Sequence, residues 1–298
     1  MQVPSHVEYE RATSVEHALA LLGRPDHRVL AGGHSLIPMM KLRLAQPGVL
    51  VDINGLAELA FIKEHSGQLR IGALARHADL LDSAAAGQHF PIFHDAERVV
   101  ADPIVRLWGT VGGSLCQADP SEDLSAVFAA VRATAVIRGQ DGDREVPVRE
   151  FHLGPYETVI GPGELLAEIR VPIIPGTGSA YEKVARRVGD WSVAAAGAVL
   201  QLHKHTIKEA GIGLTAVAAE HFVAAEAEDF LRGKPATEEN FEKAAKIAAE
   251  HCQPIPDQRG PEDYKRHLVA ELTTRALRRA AGRAAGPAAG RAARRATT

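Results

Sequence analysis

A chain of 298 residues and 31.8 kDa exceeds what one typical core needs and predicts two or three compact units. Its 46% apolar and 24% charged residues exclude wholesale disorder, and no run approaches the roughly 18 apolar residues of a membrane-crossing helix. Two cysteines, Cys116 and Cys252, are too few for an iron–sulfur cluster or a cysteine-rich zinc site. The first six residues lack a basic start followed by an apolar run, so no secretory signal, no disulfide and a cytoplasmic location are expected.

The net charge of −3 is unevenly spread. After Glu271 come seven arginines and no acid; before that point 27 basic residues face 37 acidic ones. The body is therefore −10 and the tail +7. Residues 281–298, rich in Ala, Gly and Arg, are expected to form a low-complexity basic tail beyond the last helix. A nucleic-acid arm is the sharper reading, but no aromatic residue is interleaved with the arginines.

In chain order, residues 14–22 form an amphipathic helix pattern with Ser14 as cap. Residues 28–31 and 49–53 are strands, the first running into Gly32-Gly33, and 35–44 begin a helix between them. A third strand at 69–73 precedes a helical stretch from His77 and another at 91–100. Residues 110–114 read as a tight glycine-bearing turn. A helix at 124–133 leads into a strand at 134–138, joined by the turn Asp141-Gly142-Asp143 to residues 145–148. The Pro- and Gly-rich segment 173–179 marks a domain boundary. Beyond it, 191–202 and 207–219 are partner strands, and helices follow at 224–232, 237–251 and 261–279.

Two segments pair glycines with a hydroxyl residue: Ala31-Gly32-Gly33-His34-Ser35-Leu36 and Val111-Gly112-Gly113-Ser114-Leu115, the latter after Thr110. Glycine pairs allow positive φ and close backbone approach, and successive N–H groups then make an anion-binding nest. Two such nests would suit an extended dinucleotide; the plain alternative is two tight turns. No P-loop motif is present. Gly211-Ile212-Gly213-Leu214-Thr215-Ala216 fits the loose dinucleotide fingerprint, but apolar residues run through it, so it reads as strand interior.

Asp123 could accept from ligand hydroxyls or, with Ser121 and Glu122, supply a negatively charged helix start. Lys183 could offer a cation to an electron-rich ring or sit on a solvated strand. Trp191 is a core residue or a stacking surface. His34 could anchor a flavin covalently, make a polar contact, or be a loop histidine. The fourteen histidines show no metal-binding spacing, and no Gly-x-Ser-x-Gly elbow suggests a hydrolase.

The segments Ala-Gly-Gly-His-Ser-Leu-Ile-Pro-Met-Met-Lys (31–41), Ala-Asp-Pro-Ile-Val-Arg-Leu-Trp-Gly-Thr-Val-Gly-Gly-Ser (101–114) and Ala-Asp-Pro-Ser-Glu-Asp-Leu (118–124) resemble the flavin subunits of molybdenum hydroxylases. So do Ala-Tyr-Glu-Lys (180–183), Gly-Ile-Gly-Leu-Thr (211–215) and Asp-Gln-Arg-Gly-Pro-Glu-Asp-Tyr (257–264). The likeness spans residues 3–280 and is greatest to the medium subunits of aerobic carbon monoxide dehydrogenases. It implies an α+β fold: a two-subdomain FAD-binding domain of the PCMH, vanillyl-alcohol-oxidase-like type over 1–175 (subdomains about 1–55 and 56–175), then a C-terminal domain over 176–280 with a three-stranded sheet and helices.

By the same resemblance FAD contacts carry over to Ala31, Gly32, Gly33, His34, Ser35 and Leu36, and to Val111, Gly112, Gly113, Ser114 and Leu115, with Asp123, Leu166 and Lys183 as further candidates. Trp191 stands where relatives have a Tyr near the flavin. FAD is noncovalent in such subunits, which weighs against a covalent His34. Ser114 replaces a common Asn, Leu107-Trp108 replaces Asn-Arg, and Leu115-Cys116-Gln117 is bulkier than usual. The implied partners are a large molybdenum-cofactor subunit and a small [2Fe–2S] subunit in a dimer of heterotrimers, with a quinone or other acceptor; peripheral attachment to the inner face of the cytoplasmic membrane is compatible with this. The rivals are a flavin subunit for an aldehyde, purine or heteroaromatic substrate, a stand-alone covalent flavin oxidase, and an assembly module without flavin.

Overall fold

The computed structural model describes residues 3–218 and 222–285. The expectations placed on Met1, Gln2, Ala219 and the tail from residue 286 onward lie outside the described residues. Three sheet-based units follow one another along the chain.

In the first unit, β1 (Glu8–Arg11), α1 (Val15–Leu22), β2 (His27–Leu30), α2 (Leu36–Lys41) and β3 (Val49–Asp52) build an all-parallel sheet in the order β1-β3-β2. Ser14 caps α1, its hydroxyl accepting from His17 N at 3.1 Å. The face Val15, Ala18, Leu19, Leu22 is buried against Val51 and Ile53. Leu74, Leu165 and Ala167 of the next unit close this core.

The second unit holds a five-stranded antiparallel sheet in the order β4-β5-β10-β6-β7. Its strands are β4 (Ile62–His65), β5 (Gln68–Gly72), β6 (Thr134–Gly139), β7 (Gly142–Pro147) and β10 (Leu165–Pro172). A short ribbon of β8 (His152–Gly154) and β9 (Glu157–Thr158) lies outside the sheet. Between β5 and β6 run α3 (His77–Asp82), α4 (Ala84–His89), α5 (Pro91–Glu97), α6 (Pro103–Trp108), α7 (Val111–Gln117) and α8 (Leu124–Ala130). Phe93, Phe128 and Phe151 are fully buried at its centre.

The third unit is an antiparallel meander of β11 (Thr177–Ala185), β12 (Ser192–His203) and β13 (Thr206–Thr215), covered on one face by α9 (Ala225–Leu231), α10 (Glu238–His251) and α11 (Glu262–Ala284). Its other face lies on α8. A Cβ at Gly211 or Gly213 would stand 2.0 Å from the carbonyl oxygen of Ala130 or Ala126. That explains the Gly-x-Gly pattern as a strand pressed onto a helix backbone.

Two expectations need correction. Residues 110–114 do not form a turn: Thr110 is the N-cap of α7, its hydroxyl accepting from Gly113 N at 3.1 Å. The last helix does not stop at residue 279 but runs to Ala284, so the tail expected over 281–298 does not begin at 281. The cause is long-range. Asp95 on α5, 4% exposed, pairs with Arg279 at 2.8 Å and Arg283 at 2.6 Å. Arg275 and Arg278 pair with Glu271 and Glu238, so much of the basic charge is neutralised internally.

Candidate functional site

A cleft of about 760 Å³ opens where the three units meet, in the upper part of the range for small-molecule sites. One wall is the loop between β2 and α2, another is α7 with Ala73 and Leu74, and a third is the turn joining β11 to β12. Both glycine segments face this one cleft: Ala31, Gly32, Gly33, His34, Ser35 and Leu36 from the first, and Gly112, Gly113 and Ser114 from the second.

The first loop has the character of an anion nest. Gly33 sits at φ +73°, in the left-handed region that favours glycine. The carbonyls of Gly33 and Ser35 turn into α2, accepting from Ile37 N at 3.0 Å and Met39 N at 3.1 Å. The His34 ring folds back so that Nδ1–H donates to Gly32 O at 2.9 Å. Among the described residues, the backbone N–H groups of Gly33, His34 and Ser35 meet no protein acceptor. Three successive free donors are what a diphosphate requires where cations are few.

The second segment is different in kind. Val111 N donates to Ala75 O and Gly112 N to Ala73 O, both at 2.9 Å, and Ser114 N donates to Thr110 O at 3.0 Å. With Gly113 N held by Thr110, no nest forms here. A Cβ at Gly112 would stand 2.6 Å from Ala73 Cβ, so this glycine is required by packing. The Ser114 hydroxyl also turns inward, donating to Glu122 Oε2 at 2.8 Å. Val111 and Leu115 are fully buried in the core and do not line the cleft. On a helix their side chains face inward, where a turn would have exposed them, so the FAD contacts expected of these two residues are left to their backbone.

The floor of the cleft is charged. Asp123, 6% exposed, accepts on Oδ1 from Tyr181 Oη at 2.6 Å and Ser192 Oγ at 2.7 Å, and on Oδ2 from Lys183 Nζ at 2.7 Å. Oδ1 is filled by protein, while Oδ2 accepts only from Lys183 and Asp123 lines the cleft, so it positions Lys183 and keeps one acceptor site for the ligand hydroxyl expected of it. It does not cap α8 either; its neighbour Glu122 does, accepting from Leu124 N at 2.8 Å and from Ser125 N. Burial pushes the Glu122 carboxyl up, against the hydrogen bonds from Ser125 and Ser114. Burial, reinforced by Asp123, pushes the Tyr181 phenol well up. Lys183 also donates to Val99 O at 3.2 Å, and its side chain is only 5% exposed.

Trp191 lies on the rim, 43% exposed, and Leu166 lines the floor. Cleft residues that sequence reasoning missed include His77, Gln117, Tyr156 and Pro162. Of these, His77 alone carried a signal, as a histidine opening a helix. It forms a buried pair with Glu97 at 3.0 Å. Burial alone would lower the imidazole, but the Glu97 carboxylate outweighs it and holds His77 above its ordinary value. The half-buried Cys116 thiol is pushed up to about 12 by burial, which makes it a poor nucleophile. Among the described residues no group of His, Cys, Asp and Glu is arranged to hold a metal, and no helix is long and apolar enough to cross a membrane.

Comparison with known proteins agrees with this geometry. Residues 5–174 match the family described as the FAD binding domain in molybdopterin dehydrogenase, and residues 179–280 match the CO dehydrogenase flavoprotein C-terminal domain. The chain belongs to the FAD-binding subunits of the molybdopterin dehydrogenases. The carbon monoxide dehydrogenase medium chain of Hydrogenophaga pseudoflava is 41% identical over 278 residues, covering 92% of this chain and 97% of the relative. The glyceraldehyde dehydrogenase medium chain of Sulfolobus acidocaldarius is 36% identical, covering 92% and 98%. A solved carbon monoxide dehydrogenase from H. pseudoflava, lacking the Mo-pyranopterin moiety of its cofactor, matches with a TM-score of 0.90 at 42% identity, covering 93% of this chain and 98% of that one. The α+β architecture of this flavoprotein family is therefore that of the present chain.

Proposed function

We propose that this chain holds one FAD noncovalently in the cleft and serves as the electron-exit subunit of an aerobic carbon monoxide dehydrogenase. The free N–H groups of Gly33, His34 and Ser35 would take the diphosphate. Lys183, held by Asp123, and the open face of Trp191 line the same cleft and would meet the ring system. When bound, FAD stores an electron pair and can be filled by single electrons; the protein supplies placement and electrostatics. A partner carrying [2Fe–2S] clusters would deliver those electrons, and a quinone or other acceptor would remove them. A large molybdenum subunit would oxidise carbon monoxide with water to carbon dioxide. Attachment to the inner face of the cytoplasmic membrane is compatible with this role.

The observation that carries this reading is the set of unpaired N–H donors around a positive-φ glycine, facing a cleft large enough for a dinucleotide. The carbon monoxide assignment rests on identity to the medium chain that acts in that enzyme. The glyceraldehyde dehydrogenase medium chain, at 36% identity, supports a second reading in which the partner oxidises an aldehyde. Copurification with untagged partners tests both. One acid-extractable FAD per chain, with molybdenum, iron and carbon-monoxide-dependent dye reduction in the complex, is expected. A colourless complex, or flavin that stays with the acid-precipitated protein, overturns the FAD reading. Aldehyde oxidation without carbon monoxide oxidation transfers the assignment to the second reading.

A further inference from the structure

Asn54 and Arg76 are not among the residues that line the cleft, yet they connect its two glycine-bearing walls. Asn54 follows β3, and its amide orientation is fixed. Nδ2 donates to Ala31 O and to Asp52 Oδ1, both at 2.7 Å, which leaves Oδ1 to accept from Arg76 Nη2 at 2.8 Å. Asp52 is held in turn by the Tyr9 hydroxyl and by Asn54 N at 2.8 Å. The other end of the same guanidinium, Nη1, donates to Trp108 O. Ala31 opens the first glycine loop and Trp108 precedes the second glycine segment. One side-chain pair therefore runs from carbonyl to carbonyl across the junction of the first two units.

The backbone around this link is set to close tolerance. A Cβ on Gly32 would stand 2.2 Å from Trp108 O, so the two walls are in direct contact at this point. Arg76 itself pairs with Thr110 in an isolated antiparallel bridge, and His77 N donates to Gly109 O at 3.2 Å. Asp79 Oδ2 fixes Arg76 N at 2.9 Å. The arginine thus belongs to the second wall by its backbone and reaches the first by its fork. A lysine offers three donors on one compact ammonium in place of a planar fork, so it holds the two acceptors less rigidly.

We infer that Asn54 and Arg76 are positioning residues: a latch that sets the spacing between the diphosphate loop and the α7 wall, and through it the affinity for FAD. The latch acts where a ligand must satisfy both walls at once, since its two residues join those walls without lining the cleft. Preorganisation of this kind shows in binding, since the cost of bringing the walls together would otherwise fall on the ligand. This inference rests on the FAD reading of the cleft.

The test is fluorescence titration of FAD-depleted full-length chain with FAD, at a temperature where circular dichroism shows every variant folded. N54A and R76A are each expected to raise the Kd at least five-fold. R76K is expected to fall between wild type and R76A. The double variant should bind no more than about two-fold worse than the weaker single one, because both remove one link. A purely structural role would lower the melting temperature of the FAD-depleted chain and leave the Kd alone. Values within two-fold of wild type, or effects that multiply, overturn the latch. Asn54 is exposed, so N54A carries the test should R76A not fold. Failure of wild-type chain to bind FAD refutes the cleft reading instead, and so separates the two.

Discussion

Asp123→Asn is the sharpest perturbation of the cleft floor. The substitution keeps the shape and removes the charge. In the native chain Oδ2 faces Lys183 Nζ at 2.7 Å while Oδ1 faces two hydroxyls. The amide oxygen can still accept from Lys183 while its NH2 donates to the Tyr181 and Ser192 hydroxyls, which accept as readily as they donate, so what is lost is the negative charge. Lys183, with its side chain 5% exposed, would keep only neutral acceptors, the amide oxygen and the Val99 carbonyl at 3.2 Å, and no opposite charge. Breaking a buried pair by removing one partner costs about 3–5 kcal/mol, because the other charge stays buried. At about 2–4 °C per kcal/mol for a unit of 150–250 residues, the melting temperature should fall by about 6–20 °C. Thermal unfolding followed by circular dichroism without FAD measures it. The double variant D123N/K183M leaves no buried charge and should recover part of the loss. A fall of less than about 2 °C in D123N, or a double variant worse than D123N, would show that the pair does not carry the floor as argued.

Gly112→Ala sets a Cβ 2.6 Å from Ala73 Cβ and 2.8 Å from its backbone, and overpacking against such fixed atoms should cost about 1–3 kcal/mol in urea unfolding; unchanged stability would mean that α7 can shift freely. The His77–Glu97 pair gives a signed pH dependence. His77 is held up by Glu97, and burial also raises Glu97, so the folded pair keeps a proton to higher pH than the unfolded chain. Its contribution is full below the ordinary histidine value of about 6.5 and is lost as pH rises through the raised value. Wild type should therefore lose more stability than H77N/E97Q, which carries neither titrating group, between pH 6 and pH 9 in parallel urea titrations, and equal slopes would contradict the assignment.

Much of the fold is legible in the sequence because local signals agree with it. Ser14 and Thr237 cap the helices they precede, and the alternation of short strands and helices in the first unit is written in its apolar spacing. What is not legible depends on distant partners. β1 has the polar sequence Glu-Tyr-Glu-Arg and exists because it pairs in parallel with β3, some forty residues away. The last helix continues through an Ala- and Arg-rich segment because Asp95 holds Arg279 and Arg283. At the site, Gly33 has positive φ beside free N–H groups, while Gly32 is required by the close approach of Trp108. Residues 111–115 share that composition, yet their donors go to Ala73, Ala75 and Thr110. A sequence shows that glycine is needed at a position; it does not show whether a ligand or the protein's own backbone fills the space. Asp123 teaches the same lesson, since only the fold brings Tyr181, Lys183 and Ser192 to it.

The account rests on where the diphosphate sits. A crystal structure of the full chain soaked or grown with FAD tests it directly. Phosphate oxygens within hydrogen-bond reach of the N–H groups of Gly33, His34 and Ser35, with the dinucleotide lying along the wall of Gly112 and Gly113, are predicted. A flavin bound with its phosphates away from this loop, while those three N–H groups face only water, would contradict it.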